Sequence, residues 1–205
     1  MSSIDPRRIA KKYFDYDSGF YIEAGAADGT TQSNTLFLEK ERSWNGILIE
    51  PSPENYEKCL KARRLSKNFN CALVDYDYPD AEIEMYFRRW YDGDPGLVTS
   101  TFDSPINKVD AWEGYNYTYK IPARTLDSIL AECQVEKIDF FSLDVEGYEY
   151  NVLRGFDFKK YKPKIILVES HEKTNEIDKI KELLKDCYDV VENPTPHDYI
   201  FKYKE

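Results

Sequence analysis

Short apolar segments typical of buried β-strands alternate along this chain with segments of helical periodicity. Strands are predicted over residues 20–25, 46–50, 69–74, 138–144 and 164–169. Helices are predicted over residues 8–16, 33–43, about 53–66 and 173–186. Two more are predicted to begin at residues 124–127 and at about residue 148. We expect Asp5 to cap the first helix, with Pro6 at its first position, and the second helix to turn Leu36 and Phe37 towards the core. This alternation favours a largely parallel sheet with helices on its faces.

The middle of the chain departs from this pattern. Over residues 81–88, the apolar side chains Ile83, Met85 and Phe87 alternate with polar neighbours, which predicts a further strand. Residues 89–119 are rich in Gly, Asp and aromatic side chains, and are predicted to form a long irregular loop. A loop of this length in a compact domain is usually functional or mobile.

The C-terminal segment predicts an antiparallel pair of strands. Its two apolar runs, residues 188–191 and 199–201, are separated by turn-forming residues at 193–196. The length of the chain fits one α/β domain, so residues 1–205 are interpreted as a single domain whose parallel sheet ends in an antiparallel hairpin strand.

The formal net charge of -10 limits the partners that we expect. Nucleic acid and anionic membrane surfaces both select proteins with a basic face, so neither is predicted as a partner. The one small basic cluster, residues 61–64, is interpreted as the solvated face of a helix. The sequence does not indicate an oligomeric state.

Cysteine usage and the N-terminal residues predict a cytoplasmic protein. The four cysteines, at positions 59, 71, 133 and 187, form no C-x-x-C pair, which argues against a cysteine-based zinc site and favours free thiols. No apolar run approaches the roughly 20 residues that span a bilayer. The N-terminus shows neither the apolar stretch nor the cleavage site of a secretory signal.

A turn of small and acidic residues follows the first predicted strand. It reads Glu-Ala-Gly-Ala-Ala-Asp-Gly over residues 23–29. In open α/β sheets, ligands bind beyond the carboxyl ends of the strands, and small residues allow a close approach to the backbone. The acidic residues suit a cationic amino-acid group better than a pyrophosphate, and the G-x-G-x-x-G fingerprint is incomplete. An ordinary tight turn between strand and helix is the alternative.

A single carboxylate, Glu50, ends the second predicted strand about 20 residues after the glycine turn. A carboxylate at this place can accept hydrogen bonds from both hydroxyls of a ribose. We therefore predict that Glu50 binds the ribose of a nucleoside cofactor, with an exposed acid at a strand end as the alternative.

Acidic residues and a histidine follow the fourth and fifth strands. Asp144 and Glu146 come after one strand, and Glu169 and His171 after the other. Asp144, Glu169 and His171 are expected to converge, and one of them could remove a proton from a hydroxyl group. His171 could instead cap a helix or lie at the surface. The same three residues could bind a divalent metal, but a metal is not expected.

These motifs, taken in order, resemble the FkbM-type methyltransferases. The matching segments are residues 23–29, Ile49-Glu50-Pro51, Arg124-Thr125-Leu126-Asp127, residues 138–147 and Val168-Glu169-Ser170-His171. The resemblance implies a Rossmann-like class I methyltransferase fold with a mostly parallel seven-stranded sheet. It also implies S-adenosylmethionine as the cofactor and transfer of a methyl group to a hydroxyl oxygen.

The resemblance also implies which residues form the site. Those expected to bind the cofactor are Glu23, Gly25, Ala26, Asp28, Ser33, Glu50, Pro51, Cys71, Ala72 and Asp144, with Asn70 and Asp75 near the adenine. Asp144, Glu169 and His171 are the candidate catalytic residues. The acceptor is expected to contact Trp90, Tyr91, Ser100, Trp112, Tyr115 and Glu146.

A sugar or glycan hydroxyl, for example on a deoxysugar such as rhamnose, is the predicted acceptor. Aromatic side chains beside polar groups suit a sugar ring, although the aromatic residues of 89–119 could equally pack a lid onto the core. Three alternatives remain open. The first is a methyltransferase of a small-molecule natural product, the second a nucleotide-sugar or NAD-dependent enzyme, and the third a binding module without activity.

Overall fold

The computed structural model describes residues 5–89, 97–101, 117–170 and 176–204. The described helices are α1 (Pro6–Tyr13), α2 (Leu36–Arg42), α3 (Pro53–Ala62), α4 (Leu126–Glu132), α5 (Glu149–Arg154) and α6 (Glu176–Leu184). The described strands are β1 (Phe20–Ala24), β2 (Asn45–Ile49), β3 (Lys67–Phe69), β4 (Ala72–Leu73), β5 (Glu82–Arg89), β6 (Leu97–Thr101), β7 (Tyr117–Arg124), β8 (Phe140–Leu143), β9 (Ile165–Glu169), β10 (Tyr188–Thr195) and β11 (Asp198–Tyr203).

Seven of these strands form the main sheet, in the order β10-β11-β9-β8-β1-β2-β3. Five neighbouring strands pair in parallel: β3, β2, β1, β8 and β9. In contrast, β11 is antiparallel to both β9 and β10. The sequence-based prediction of a mostly parallel, seven-stranded sheet with a C-terminal antiparallel hairpin strand is confirmed.

The two faces of the sheet are covered by different helices. Ile22 and Ile47 pack in a core cluster with apolar residues of α4, α5 and α6. Tyr21 and Leu48 point to the opposite face and pack with residues of α1, α2 and α3. Strands buried on both faces read as continuous apolar runs, which is why the main strands were visible in the sequence.

The parallel register brings the carboxyl ends of the central strands to one edge. Ala24 of β1 lies beside Ile49 of β2 and Leu143 of β8, and Leu143 lies beside Val168 of β9. The residues that follow these four strands therefore meet at a single edge of the sheet, where ligands bind in open α/β folds.

The predicted third strand, residues 69–74, is wrong as one element. The chain forms β3 in the main sheet and then β4, which belongs to a second sheet. At the break, the side-chain amide of Asn70 donates to the carbonyl oxygens of Glu50 and Pro51, both at 2.9 Å. These bonds anchor Asn70 beside the end of β2 and redirect the chain.

The prediction of an irregular loop over residues 89–119 is also wrong in part. β6 and the start of β7 lie inside it, and the second sheet has the order β4-β7-β5-β6. In β7, Ile121 is buried opposite Ile83, but Tyr119 is 46% exposed. With so few buried residues, β7 has little of the hydrophobic alternation that identifies a strand.

The first two helices differ from their predictions at one end. Asp5 caps α1 and Pro6 begins it, as predicted, although the helix ends at Tyr13. In α2, Leu38 is the buried apolar side chain; Phe37 is half-buried and packs against the core as predicted, whereas the prediction for Leu36, also only half-buried, is wrong. The helix starts three residues later than expected, at Leu36.

Two further properties concern the whole of the described chain. All four cysteines are free, with Cys59 and Cys71 buried. Within the described ranges, no helix combines the length and the apolar character needed to cross a lipid bilayer.

Candidate active site

The turn after β1 depends on a glycine. The backbone N–H groups of Gly25 and Ala26 both donate to the carbonyl oxygen of Ile49, at 3.0 and 3.2 Å. Gly25 has a φ of +80°, and a Cβ atom there would lie 1.7 Å from the carbonyl oxygen of Asp144. The ends of β1 and β8 can therefore approach this closely only because residue 25 has no side chain.

A narrow cleft lies beside this turn. Ten residues from β1, β2, β4, β5 and the segment after β8 line it: Ala24, Gly25, Ile49, Pro51, Cys71, Ala72, Leu73, Met85, Val145 and Tyr148. Its walls are almost wholly apolar, which suits the faces of a flat aromatic base. Of the predicted cofactor residues, Gly25, Pro51, Cys71 and Ala72 lie in this lining.

Glu50 lies between the two turns that border the cleft. Its carboxylate accepts hydrogen bonds from the backbone N–H groups of Ala27 and Ser52, both at 2.8 Å. The residue is only 2% exposed. Burial raises the pKa of Glu50 to about 8, although the two N–H donors act in the opposite direction.

Three other predicted cofactor residues are engaged by the chain itself. The buried carboxylate of Glu23 accepts hydrogen bonds from the hydroxyls of Ser33 and Thr35 and from the backbone N–H of Asn34. Asp28 accepts four hydrogen bonds, from the backbone and hydroxyl groups of Thr30 and Thr31. In this structure Glu23, Asp28 and Ser33 shape the loop between β1 and α2.

Carboxylates gather at the ends of β8 and β9. Burial, a hydrogen bond with Glu169 and the charge of Glu169 raise the pKa of Asp144 well above its usual range. Burial, together with the charge of Glu169, also raises the pKa of Glu146, to about 7. Asp144 and Glu169 are therefore hydrogen-bonded neighbours at the ends of adjacent strands, and their closeness disfavours the charged form of Asp144.

The backbone after β8 is held in place by a further carboxylate. Glu149, which is buried, accepts hydrogen bonds from the N–H groups of Val145 and Gly147, at 2.9 and 3.0 Å. Glu146 and Gly147 both have positive φ angles, of 58° and 93°. Glu149 therefore stabilises the turn that carries Asp144 and Glu146, a role that the sequence analysis missed.

The structure does not bring every predicted residue to the site. Asp75 was expected near the adenine, but its carboxylate bonds to Asn151 and Arg154 of α5, at 3.2 and 3.1 Å. His171 and the aromatic residues predicted to bind the acceptor, Trp90, Tyr91, Trp112 and Tyr115, lie outside the described residues, as does the side chain of Ser100. Their roles remain predictions.

The interpretation of the basic cluster at residues 61–64 as solvated is wrong for Arg63, although Lys61 and Arg64 are exposed as predicted. Arg63 is fully buried, not solvated, and it forms ion pairs with Glu23 and Glu39. Arg63 lies one residue beyond the end of α3, which the sequence analysis had placed at about residue 66.

The sequence left open a metal site formed by Asp144, Glu169 and His171, of which His171 lies outside the described residues. Among the residues that the structure describes, no three or more His, Cys, Asp or Glu side chains are grouped so that they could hold a metal ion. Asp144 and Glu169 are nevertheless adjacent, as their side-chain hydrogen bond shows.

The strand order and the cleft at the carboxyl edge of the sheet are those of the Rossmann-like class I methyltransferase fold. The family profile described as Methyltransferase FkbM domain matches residues 23–191. The chain therefore belongs to the FkbM family of methyltransferases.

Solved structures share the fold. The chain is similar to the FkbM methyltransferase from Methylobacillus flagellatus KT, with a TM-score of 0.57 and 17% identity, over 92% of this chain and 44% of that one. It is also similar to the precorrin-6y C5,15-methyltransferase from Geobacter metallireducens GS-15, with a TM-score of 0.52 and 11% identity, over 98% of this chain and 87% of that one. No curated protein shows significant similarity to the chain. This chain spans less than half the length of the Methylobacillus structure.

Proposed function

We propose that this chain, as a single methyltransferase domain, transfers a methyl group from S-adenosylmethionine to a hydroxyl group of a sugar or glycan. A deoxysugar such as rhamnose is the first acceptor to test. The observation that carries the proposal is the hydrogen-bonded pair of Asp144 and Glu169 at the carboxyl ends of the adjacent strands β8 and β9. A hydroxyl oxygen loses its proton when it is methylated, and a carboxylate pair can receive that proton.

The residues around the cleft fit the parts of the cofactor. The apolar walls that include Cys71 and Ala72 would hold the adenine, and Glu50 would accept hydrogen bonds from the ribose hydroxyls. Asp144, on the other side of Gly25, would lie beside the methionine part. When bound, S-adenosylmethionine supplies an electrophilic methyl group on a positively charged sulfur.

The acidic pair is proposed to act as the general base. Asp144 ionises more readily when a positive charge is placed beside it, because that charge offsets repulsion from Glu169. Its carboxylate can then accept the acceptor's hydroxyl proton, with Glu169 sharing it. Most of the remaining acceleration would come from holding the hydroxyl oxygen in line with the methyl group. His171 is a second candidate for the base.

The acceptor class can be tested directly. Purified protein would be incubated with S-adenosylmethionine labelled in the methyl group and with separate panels of deoxysugar glycosides, amino sugars and phenolic natural products. We expect label in the deoxysugar panel, with the product's mass and NMR spectrum showing an O-methyl group. Label on nitrogen, or only in the phenolic panel, would contradict the sugar O-methylation proposal while leaving the methyltransferase class intact.

The role of Glu50 predicts a pH dependence of nucleoside binding. Methylthioadenosine carries the adenine and ribose without a charged amino-acid group, so its binding isolates this residue. Only ionised Glu50 can accept from both ribose hydroxyls, and its pKa is about 8. The affinity should therefore increase from pH 6 towards pH 8, by up to about tenfold per pH unit, and level off above it.

The matched control is Glu50→Gln, which keeps the size of the side chain but does not titrate. This variant should bind methylthioadenosine more weakly, with little change between pH 6 and pH 8. Because the folded pKa is raised, Glu50 should also make the free protein less stable as pH rises from about 4.5 to about 8. If Glu50→Gln keeps the pH dependence of the wild type, a group other than Glu50 must cause that dependence.

A further inference from the structure

Arg63 is the most extensively bonded buried cation in the described chain. It follows the last residue of α3, and none of its side chain is exposed. Its guanidinium donates to six acceptors at 2.7–3.3 Å: Tyr21 Oη, Glu23, Gly29 O, Ser33 Oγ, Thr35 Oγ1 and Glu39.

Four of these acceptors belong to the loop between β1 and α2 or to the carboxylate that shapes it. The carbonyl oxygen of Gly29 and the hydroxyls of Ser33 and Thr35 lie on the loop, and Glu23 accepts hydrogen bonds from the same two hydroxyls. The other two acceptors, Tyr21 and Glu39, tie Arg63 to β1 and α2. The guanidinium thus connects the end of α3, the helix that follows the turn at Glu50, to the loop between β1 and α2, which contains the turn at residues 25–29.

The two ends of α3 hold this loop together. At its start, Ser52 caps the helix and donates its backbone N–H to Glu50, whose other oxygen accepts from Ala27. Within the helix, the thiol of Cys59 donates to the carbonyl oxygen of Ala27 at 3.1 Å. At its end, Arg63 binds Gly29 and the residues that follow it. The turn at residues 25–29 is therefore fixed against α3 from both sides.

We propose that Arg63 is a positioning residue for cofactor binding, which holds the turn after β1 in register with Glu50 through its bonds to the loop at residues 29–35. The inference rests on the proposed placement of the cofactor between these two turns. Arg63 is fully buried and bonded to protein acceptors, so it acts through the loop and not on the ligand. Burial disfavours its charge, but Glu23, Tyr21 and Glu39 together outweigh burial and raise the pKa of the guanidinium, so the cation persists.

The first test is Arg63→Lys, measured by calorimetric titration with S-adenosylhomocysteine. A lysine keeps the charge but cannot reproduce the planar, many-donor geometry of a guanidinium. We expect the dissociation constant to rise by at least about tenfold, equivalent to about 1.4 kcal/mol of binding free energy. The KM for S-adenosylmethionine should rise in parallel, with a much smaller effect on turnover at saturating cofactor.

The matched control is Asp139→Asn, which weakens a different buried charge network. Asp139 precedes β8 at the opposite edge of the sheet and accepts from Tyr16, Lys164 and the backbone of Phe20. This variant should be less stable than the wild type but should bind S-adenosylhomocysteine unchanged. Equal losses of affinity in the two variants would reduce Arg63 to a general stabilising role and overturn the inference.

A second variant covers the case in which Arg63→Lys does not fold. Thr35→Val removes one hydroxyl that links Arg63 to Glu23 while leaving both charges in place. We expect the dissociation constant for S-adenosylhomocysteine to rise at least about threefold, and an unchanged value would overturn the inference. If the folded wild-type protein itself fails to bind S-adenosylhomocysteine, the proposed function fails first, and the inference fails with it. Wild-type binding with unaffected variants contradicts the inference alone.

Discussion

Replacing Asp144 with Asn is expected to lower turnover by about 100- to 10,000-fold, the range found when a general base is removed. Asn cannot accept the proton of the acceptor hydroxyl. It does resemble the protonated carboxyl group that the structure implies, because burial and Glu169 raise the pKa of Asp144 well above its usual range. The free energy of unfolding should therefore not decrease, and S-adenosylhomocysteine should still bind.

The comparison variant for this measurement is Asp75→Asn. It makes the same chemical change in a carboxylate that bonds to Asn151 and Arg154 and not to the cleft. Asp75→Asn should lower stability while leaving methyl transfer from labelled S-adenosylmethionine close to the wild-type rate. If Asp144→Asn retains wild-type turnover, the base must be another residue, with His171 the next to test.

Replacing Gly25 with Ala is expected to destabilise the fold and remove cofactor binding together. The added methyl group would lie 1.7 Å from the carbonyl oxygen of Asp144, and the φ of +80° is unfavourable for any residue with a side chain. The conformational cost of about 1–3 kcal/mol adds to an overpacking cost of about 1–3 kcal/mol. The ends of β1 and β8 can relieve the contact only by separating, which opens the site.

Urea denaturation and a titration with S-adenosylhomocysteine measure both consequences of Gly25→Ala. The control is the reverse change two residues later, Ala27→Gly, at a position whose φ is +47°. Ala27→Gly should change the free energy of unfolding by less than about 1 kcal/mol, since glycine accepts this conformation readily. Wild-type stability and affinity in Gly25→Ala would show that the close approach to Asp144 is not required.

The main sheet could be predicted because its central strands are buried on both faces. Runs such as Gly46–Ile49 contain almost only apolar or small residues, and acidic residues at their ends identify the ligand-binding edge. The second sheet could not be predicted in the same way. Its course depends on Asn70 bonding to carbonyl oxygens 19 and 20 residues earlier in the chain, and no local pattern shows such contacts.

The sequence predicted which acidic residues surround the site, but it did not predict the direction in which each side chain points. Glu50 and Asp144 lie next to residues that line the cleft, whereas Asp28 and Glu23 bond to their own loop. All four are carboxylates next to the same turns, so the sequence alone could not separate them. Arg63 was misjudged for a related reason: a charged residue near a helix end is usually solvated, and its buried acceptors come from distant positions.

The most direct test of this account is a calorimetric titration of the folded wild-type protein with S-adenosylhomocysteine, with NAD as the comparison ligand. We predict one site per chain with a dissociation constant in about the micromolar range, binding that is weakened in Glu50→Gln, and no binding of NAD. Binding of NAD in place of S-adenosylhomocysteine, or no binding of either ligand, would contradict the assignment of the carboxyl-edge cleft as the cofactor site.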